Sequence, residues 1–326
     1  MTMRDTFHRT IDYLRISVTD RCDLRCKYCM PETGVEPLTH GDILSYEEIL
    51  RLAKCFARLG IRRIKITGGE PLVRLYVIDL IGQLKKIPGI EQVTLTTNGT
   101  HLAKYIWALD KLHIDGINIS LDTLNPVLYK EITGRDVFAK VFSGLQEALK
   151  YPAIKLKINC VPQGLSGQDM AAVAGLAKDH PVHVRFIEMM PIGLGKEFPL
   201  IRESDVRQEL EQTYGALQPF HENLGNGPCR YYSIPGFQGK IGFISAMSHK
   251  FCSNCNRVRL TADGKLKTCL QYDRGMDLKA LLRAGRPDHE VELAILQALE
   301  SKPGEHHFTE TFVVDQEKKS MFQIGG

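Results

Sequence analysis

No apolar run in this chain approaches the roughly 18 residues that a membrane-spanning helix needs. The first residues, Met1-Thr2-Met3-Arg4-Asp5-Thr6-Phe7-His8, lack the apolar core of a secretory signal. From both absences a soluble, cytoplasmic protein with no membrane partner is expected. A large charge excess is missing too. The formal net charge is +4 and the pI about 8.5. That is too weak to argue for a nucleic-acid partner, yet it leaves room for a local basic pocket around a small anion. No low-complexity segment or tandem repeat is evident. The nine cysteines form an odd set, six of them gathered at two places far apart. In a reducing cytosol this reads as metal ligation, not a disulfide framework.

What is present is ordinary globular composition, 43% hydrophobic and 25% charged over 326 residues. That is enough chain for one large domain or two smaller ones. Its organising stretch runs from Thr19 to Pro31 and puts Cys22, Cys26 and Cys29 into eight residues, as C-x3-C-x2-C. Soft thiolates favour an iron–sulfur cluster. Three of them leave one iron of a [4Fe–4S] cubane without a protein ligand, open to a substrate or cofactor. Two blander alternatives stand beside this. Positions i, i+4 and i+7 share one helix face, where cysteine is a small hydrophobe, and a three-cysteine zinc site is the other.

Along the chain, strand-like runs alternate with helical periodicity. Strands are expected at 14–18, 61–67, 90–96, 116–121, 154–161 and 183–187. The helices between them include one that opens on the capping box Ser45-Tyr46-Glu47-Glu48 and stops at Gly60, and one carrying Leu75, Ile78, Leu80, Ile81 and Leu84. Others are expected at about 101–111, 137–149 and 168–179. Short connections and this alternation argue for a parallel sheet with right-handed crossovers. Six units fall short of a closed eight-fold barrel. The expected fold is an α/β, incomplete (βα)6 TIM-like barrel with a C-terminal cluster-binding extension. Composition shifts near residue 220, dividing the chain into 1–220 and 221–326. The later part holds short β-like runs at 229–234 and 240–245 and helices at about 277–284 and 288–300.

That later part also carries Cys252, Cys255 and Cys269, spaced C-x2-C-x13-C. A second three-cysteine cluster is one assignment; a zinc knuckle completed by His249 is the other. Arg257 and Arg259 alternate on an extended segment, so both guanidiniums face one side, and such forks bind oxygen pairs. Gly68-Gly69-Glu70-Pro71 follows a strand and allows close backbone approach of a ligand. Cys55, Cys160 and Cys229 read as structural.

The cysteine motif, with an aromatic residue just before its last cysteine, resembles the signature of radical S-adenosylmethionine (SAM) proteins. The flanks Leu14-Arg15-Ile16-Ser17-Val18-Thr19-Asp20 and Met30-Pro31, the second cysteine group and the Gly325-Gly326 end resemble the GTP 3′,8-cyclases of molybdenum cofactor biosynthesis, from Arg15 to Gly326. The resemblance implies two [4Fe–4S] clusters, on Cys22, Cys26 and Cys29 and on Cys252, Cys255 and Cys269. It implies SAM contacts at Tyr28 (through its backbone), Gly69, Ser120 and Met190. GTP contacts would come from Arg15, Lys65, Thr96, Lys157, Arg257, Val258 and Arg259, with Arg185 a further candidate. Arg257, Arg259, Gly325 and Gly326 would act in catalysis. Lys65 stands where arginine is expected in many relatives, keeping the charge but losing the fork. Cleavage of SAM to methionine and 5′-deoxyadenosine would drive closure of C3′ onto C8 of GTP. A flavodoxin- or ferredoxin-like reductant, a homodimer and a downstream cyclic pyranopterin monophosphate synthase come from the same resemblance. Within enzymes the alternative is a peptide-modifying two-cluster radical SAM maturase. Outside them it is a zinc-dependent regulatory or nucleic-acid-binding protein.

Overall fold

The structure is a computed structural model that describes residues 2–222, 224–308 and 315–325. In chain order come β1 (Tyr13–Ser17), α1 (Tyr46–Leu59), β2 (Arg63–Thr67), α2 (Val77–Lys85), β3 (Gln92–Thr97), α3 (Leu102–Lys111) and β4 (Gly116–Ser120). Then follow α4 (Pro126–Thr133), α5 (Phe138–Leu149), β5 (Leu156–Cys160), α6 (Met170–Asp179), β6 (His183–Ile187) and α7 (Glu203–Tyr214). The remainder holds β7 (Gln218–Phe220), β8 (Arg230–Ser233), β9 (Ile241–Ile244), β10 (Arg257–Leu260), β11 (Lys265–Lys267), β12 (Met276–Asp277), α8 (Leu278–Arg283) and α9 (Asp288–Glu300). Among the described residues no helix is long and apolar enough to cross a membrane.

The chain divides into two compact units made of interleaved segments. The first holds Met1–Asp23, Gly34–Leu95 and Cys252–Gly326; the second holds Leu24–Thr33 and Thr96–Phe251. In the first unit β10, β1, β2 and β3 run parallel in that order, and β11 and β12 continue antiparallel beyond β10. In the second, β4, β5, β6 and β9 run parallel, with β8 and β7 antiparallel beyond β9. The six expected strands and the five helices expected between them are all present. The short late strands extend these sheets: β9 joins β6 and β10 joins β1.

Apolar periodicity explains the packing of each unit. Leu14 and Ile16 of β1, Ile64 and Ile66 of β2, and Leu52 and Phe56 of α1 are fully buried in the first unit. Ile117, Ile158, Val184 and Val173 are fully buried in the second. Burying each large apolar side chain contributes roughly 1.5–3 kcal/mol. Helix α1 begins as its sequence suggests. The Glu48 N–H donates to Ser45 Oγ at 3.2 Å and the Ser45 N–H to Glu48 Oε2 at 2.7 Å. It ends on Gly60, whose φ of 111° only glycine adopts freely.

Three local expectations need correction. Leu75 lies outside α2 and is 72% exposed. Arg74 keeps an extended backbone, and its guanidinium donates to the carbonyls of Val18 and Leu44 at 2.5 and 2.8 Å, so the helix starts only at Val77. Helix α4 was not expected, although Asn125 caps it, Pro126 opens it and Gly134 closes it at φ 64°. Helix α7 was not expected either; its buried apolar residues are only Val206 and Leu210.

Candidate active site

The cysteine loop after β1 is not a helix. No helix is present between Ser17 and Tyr46, which removes the helix-face alternative. Cys22 belongs to the first unit, Cys26 and Cys29 to the second. In the second unit the Cys29 and Met30 N–H groups both donate to the Cys26 carbonyl, at 2.9 and 3.0 Å. The unexpected α4 holds this turn. Arg25 N–H donates to Thr133 O at 2.8 Å and Lys27 N–H to Ile132 O at 2.9 Å, so carbonyls left open at a helix end anchor the ligand loop.

Tyr28 is fixed from the end of β4. Its phenol donates to Asp122 Oδ2 at 2.8 Å, and Val161 N–H donates to the other oxygen at 2.8 Å. Burial, then the charges of Asp122, Cys26 and Cys29, push the Tyr28 phenol up. Burial also raises Asp122 to about 6, against the hydrogen bonds from Val161 and Tyr28. Asp122 was not singled out by residue pattern; its place after Ser120 at a strand end was the available signal.

In the first unit Gly68 and Gly69 follow β2 and run against the start of the cysteine loop. Gly69 N–H donates to Thr19 O at 2.7 Å and Glu70 N–H to Arg21 O at 2.8 Å. A Cβ at Gly69 would stand 2.3 Å from the Arg21 carbonyl oxygen and 2.7 Å from that of Asp20. Both obstacles are backbone, so Gly69→Ala is expected to displace the residues leading to Cys22. The expected result is a loss of about tenfold or more in SAM affinity, one lost hydrogen-bonding register being worth ~1.5 kcal/mol or more. Equilibrium dialysis with labelled SAM checks it; unchanged affinity would contradict it. In the second unit Ser120 ends β4 and Met190 follows β6 by three residues. Beside Met190, buried Glu188 accepts from Glu203 N–H at 3.0 Å and from Met247 and Ser248 N–H at 2.8 Å each, and from the Ser248 hydroxyl. Glu188 is a further residue the sequence did not mark. Gly69, Ser120 and Met190 thus sit at or just past strand C-termini, where α/β folds place their sites, while Tyr28 lies within the loop that follows β1.

The basic candidates fall into two sets. In the first unit Arg259, Arg15 and Lys65 are register partners on neighbouring parallel strands, so they form one row on one face. Val258 pairs with Leu14 and is 1% exposed, leaving only main-chain atoms for a ligand. Arg259 Nη1 donates to the Gly325 carbonyl at 2.7 Å. Burial, then the nearby Arg15 and Arg257, pull the Arg259 guanidinium well below its ordinary range. Gly325 has φ 76°, and a Cβ there would stand 3.3 Å from Ser17 Cβ and 3.4 Å from Thr67 Cγ2. The tail residues Phe322 and Ile324 are buried, while Gly326 lies outside the described residues.

In the second unit Lys157 and His183 are register partners, as are Asn159 and Arg185. Arg185 Nε donates to Asn159 Oδ1 at 3.0 Å. Lys157 Nζ donates to the Leu224 carbonyl. Burial, then Arg185, lowers Lys157 to about 8. Burial, then Lys157 and Arg185, lowers His183 to about 4, so it is neutral and its Nδ1 accepts from Lys240 N–H at 3.2 Å. Thr96 Oγ1 accepts from Asn118 Nδ2 at 3.2 Å.

The second cysteine group is in the first unit. Burial raises the Cys252 thiol, with the charges of Cys255 and Cys269 adding to it. Burial would raise Cys255 as well, but Arg257 and Lys302 prevail and bring it down to about 6. Three thiols in one another's field, one ionised near neutrality and supplied with donors, suit a [4Fe–4S] cluster. Among the described residues no three His, Cys, Asp or Glu side chains converge as ligands of a single ion do. His249 Nδ1 stands 3.6 Å from Glu203 Oε2, in the second unit.

Parallel βα units with a C-x3-C-x2-C loop after the first strand define a radical SAM protein. Residues 16–173 match the Radical SAM superfamily and residues 182–308 match Molybdenum Cofactor Synthesis C. The chain is similar in fold to the SAM-bound crystal structure of Streptococcus suis SuiB, with a TM-score of 0.64 at 16% identity, over 90% of this chain and 69% of SuiB. It is 44% identical to the GTP 3′,8-cyclase of Syntrophomonas wolfei and 43% identical to that of Moorella thermoacetica, in each case over 99% of this chain and 100% of the relative. The chain belongs to the GTP 3′,8-cyclase family, and its fold is the incomplete (βα)6 barrel of radical SAM proteins.

Proposed function

We propose that this protein is a radical SAM GTP 3′,8-cyclase. It converts GTP to (8S)-3′,8-cyclo-7,8-dihydroguanosine 5′-triphosphate in molybdenum cofactor biosynthesis. The observation that carries this, beyond full-length kinship, is the row of Arg259, Arg15 and Lys65 on one sheet face. Gathered cations repel one another, and a bound triphosphate relieves that repulsion. When bound, the [4Fe–4S] clusters and SAM supply the redox chemistry, SAM leaving as methionine and 5′-deoxyadenosine. Cys22, Cys26 and Cys29 would hold one cluster, and Cys252, Cys255 and Cys269 the other. Region 1–220 would carry SAM chemistry and region 221–326 the second cluster.

The chain's own side chains bind and orient. Tyr28, Gly69, Ser120 and Met190 would position SAM. Arg15, Lys65, Arg257 and Arg259 would hold phosphate oxygens, Val258 would contribute main-chain atoms, and Gly325 and Gly326 would order the reacting nucleotide. Thr96, Lys157 and Arg185 would make further GTP contacts. Precise placement of the ribose carbon is worth several orders of magnitude in rate. A flavodoxin- or ferredoxin-like donor, a homodimer, a cytoplasmic location and hand-over to a cyclic pyranopterin monophosphate synthase complete the proposal. Against a peptide-modifying maturase, the anaerobically reconstituted chain should bind GTP; failure to bind it would overturn the proposal.

Lys157 gives a pH test. Its folded-state value is depressed from 10.5 to about 8. The stability it contributes is therefore present above 10.5 and lost as pH falls through about 8, so burying its charge weakens the free fold at pH 7. The same charge attracts phosphate. GTP affinity should fall by about tenfold between pH 7 and 9, the ~1.5 kcal/mol of a charge-assisted hydrogen bond. Lys157→Gln should flatten that profile in calorimetric titrations; an equally steep profile in the variant would exclude Lys157 from the contact.

A further inference from the structure

Lys302 follows α9 at the protein's C-terminal side, yet it is only 3% exposed. A buried ammonium costs several kcal/mol unless its protons are met. Here Nζ donates to the Arg257 carbonyl at 3.0 Å, the Thr268 carbonyl at 2.5 Å and Cys255 Sγ at 3.6 Å. Thr268 immediately precedes Cys269. The residues after Lys302 serve Cys252. Arg9 Nη1 donates to both the Cys252 and Gly304 carbonyls at 2.8 Å, and its Nη2 donates to the Pro303 carbonyl at 2.7 Å. Asp5 Oδ2 fixes the other edge of that guanidinium at 2.6 Å. The His306 main-chain N–H donates to the Cys252 thiol. One turn, residues 302–306, therefore addresses two cysteines of the group at once.

We propose that this turn is a dedicated outer shell of the second cluster, and that the Lys302 ammonium, donating to Cys255, sets that cluster's reduction potential. The proposal rests on Cys252, Cys255 and Cys269 being cluster ligands. Reduction adds one electron, supplied by an external reductant, and places extra negative charge on the cluster and its sulfurs. A fixed positive charge with an N–H aimed at a ligand sulfur favours that reduced state and raises the potential. Burial leaves little salt screening to weaken the effect. Lys302 is a positioning and tuning residue; it need not touch SAM or GTP.

The test is an EPR-monitored redox titration of the anaerobic holoenzyme, with iron counted in each preparation. In Lys302→Met the second cluster's potential should move negative while the N-terminal cluster's stays. Lys302→Arg, which keeps the charge, should move it less. Unchanged potentials in variants that retain about eight irons would overturn the proposal. So would loss of the second cluster in both variants, since that marks a residue needed only for assembly. A parent chain with only about four irons would instead overturn the assignment of Cys252, Cys255 and Cys269, and that failure is visible before any variant is made.

Discussion

Cys26→Ser should cut the iron of the reconstituted chain from about eight atoms to about four and abolish SAM cleavage. A serine hydroxyl is a hard, protonated oxygen at neutral pH and a poor substitute for a soft thiolate. The loss should be confined to one cluster. The loop around Cys26 is anchored by backbone hydrogen bonds to Thr133 and Ile132 of α4, which the substitution leaves in place. Cys252, Cys255 and Cys269 sit in a separate unit from Cys26, so their irons should remain. Release of 5′-deoxyadenosine under reductant should fall at least about a thousandfold, as for removal of a whole catalytic group. Iron analysis and chromatography of the quenched mixture read both results. Eight irons with normal cleavage would show that Cys26 is not a ligand.

Arg259→Gln should have the next largest effect, and a different signature. Both clusters and SAM binding should survive, while GTP turnover falls by about 100- to 1,000-fold, or ~2.7–4 kcal/mol. Two observations support the proposed role of Arg259. It sits in the row with Arg15 and Lys65, and it holds the Gly325 carbonyl at 2.7 Å. Deleting Gly325 and Gly326 should lower turnover in the same direction. The two changes remove one shared hydrogen bond, so combining them should cost less than the sum of each alone. Thermal stability separates this from a folding defect. Burial beside other guanidiniums already disfavours the Arg259 charge, so the neutral variant should melt no lower than its parent. Full turnover in the tail deletion would remove Gly325 and Gly326 from the active machinery.

Much of the fold was legible because its signals are local. The capping box at Ser45, the stop at Gly60 and the alternation from β2 to β6 are written in adjacent residues. So are both cysteine groups. What escaped is of two kinds. Helix α4 spans only Pro126–Thr133, too short for its apolar periodicity to stand out between the expected strand at 116–121 and the helix at 137–149, although this helix anchors the cysteine loop. Long-range pairing left no local trace at all. Nothing near residue 257 indicates that β10 lies against β1, yet that pairing brings Arg259 beside Arg15. Lys302 likewise looks like a surface residue after a helix until its burial beside Cys255 is seen. Leu75 misled because its apolar character fits a helix, whereas the hydrogen bonds of Arg74 hold the backbone extended.

Anaerobic incubation with SAM, GTP and dithionite, followed by mass spectrometry, tests the central claim most directly. The account predicts 5′-deoxyadenosine in step with a cyclised guanosine nucleotide that keeps all three phosphates. Cleavage of SAM with GTP recovered unchanged would contradict it.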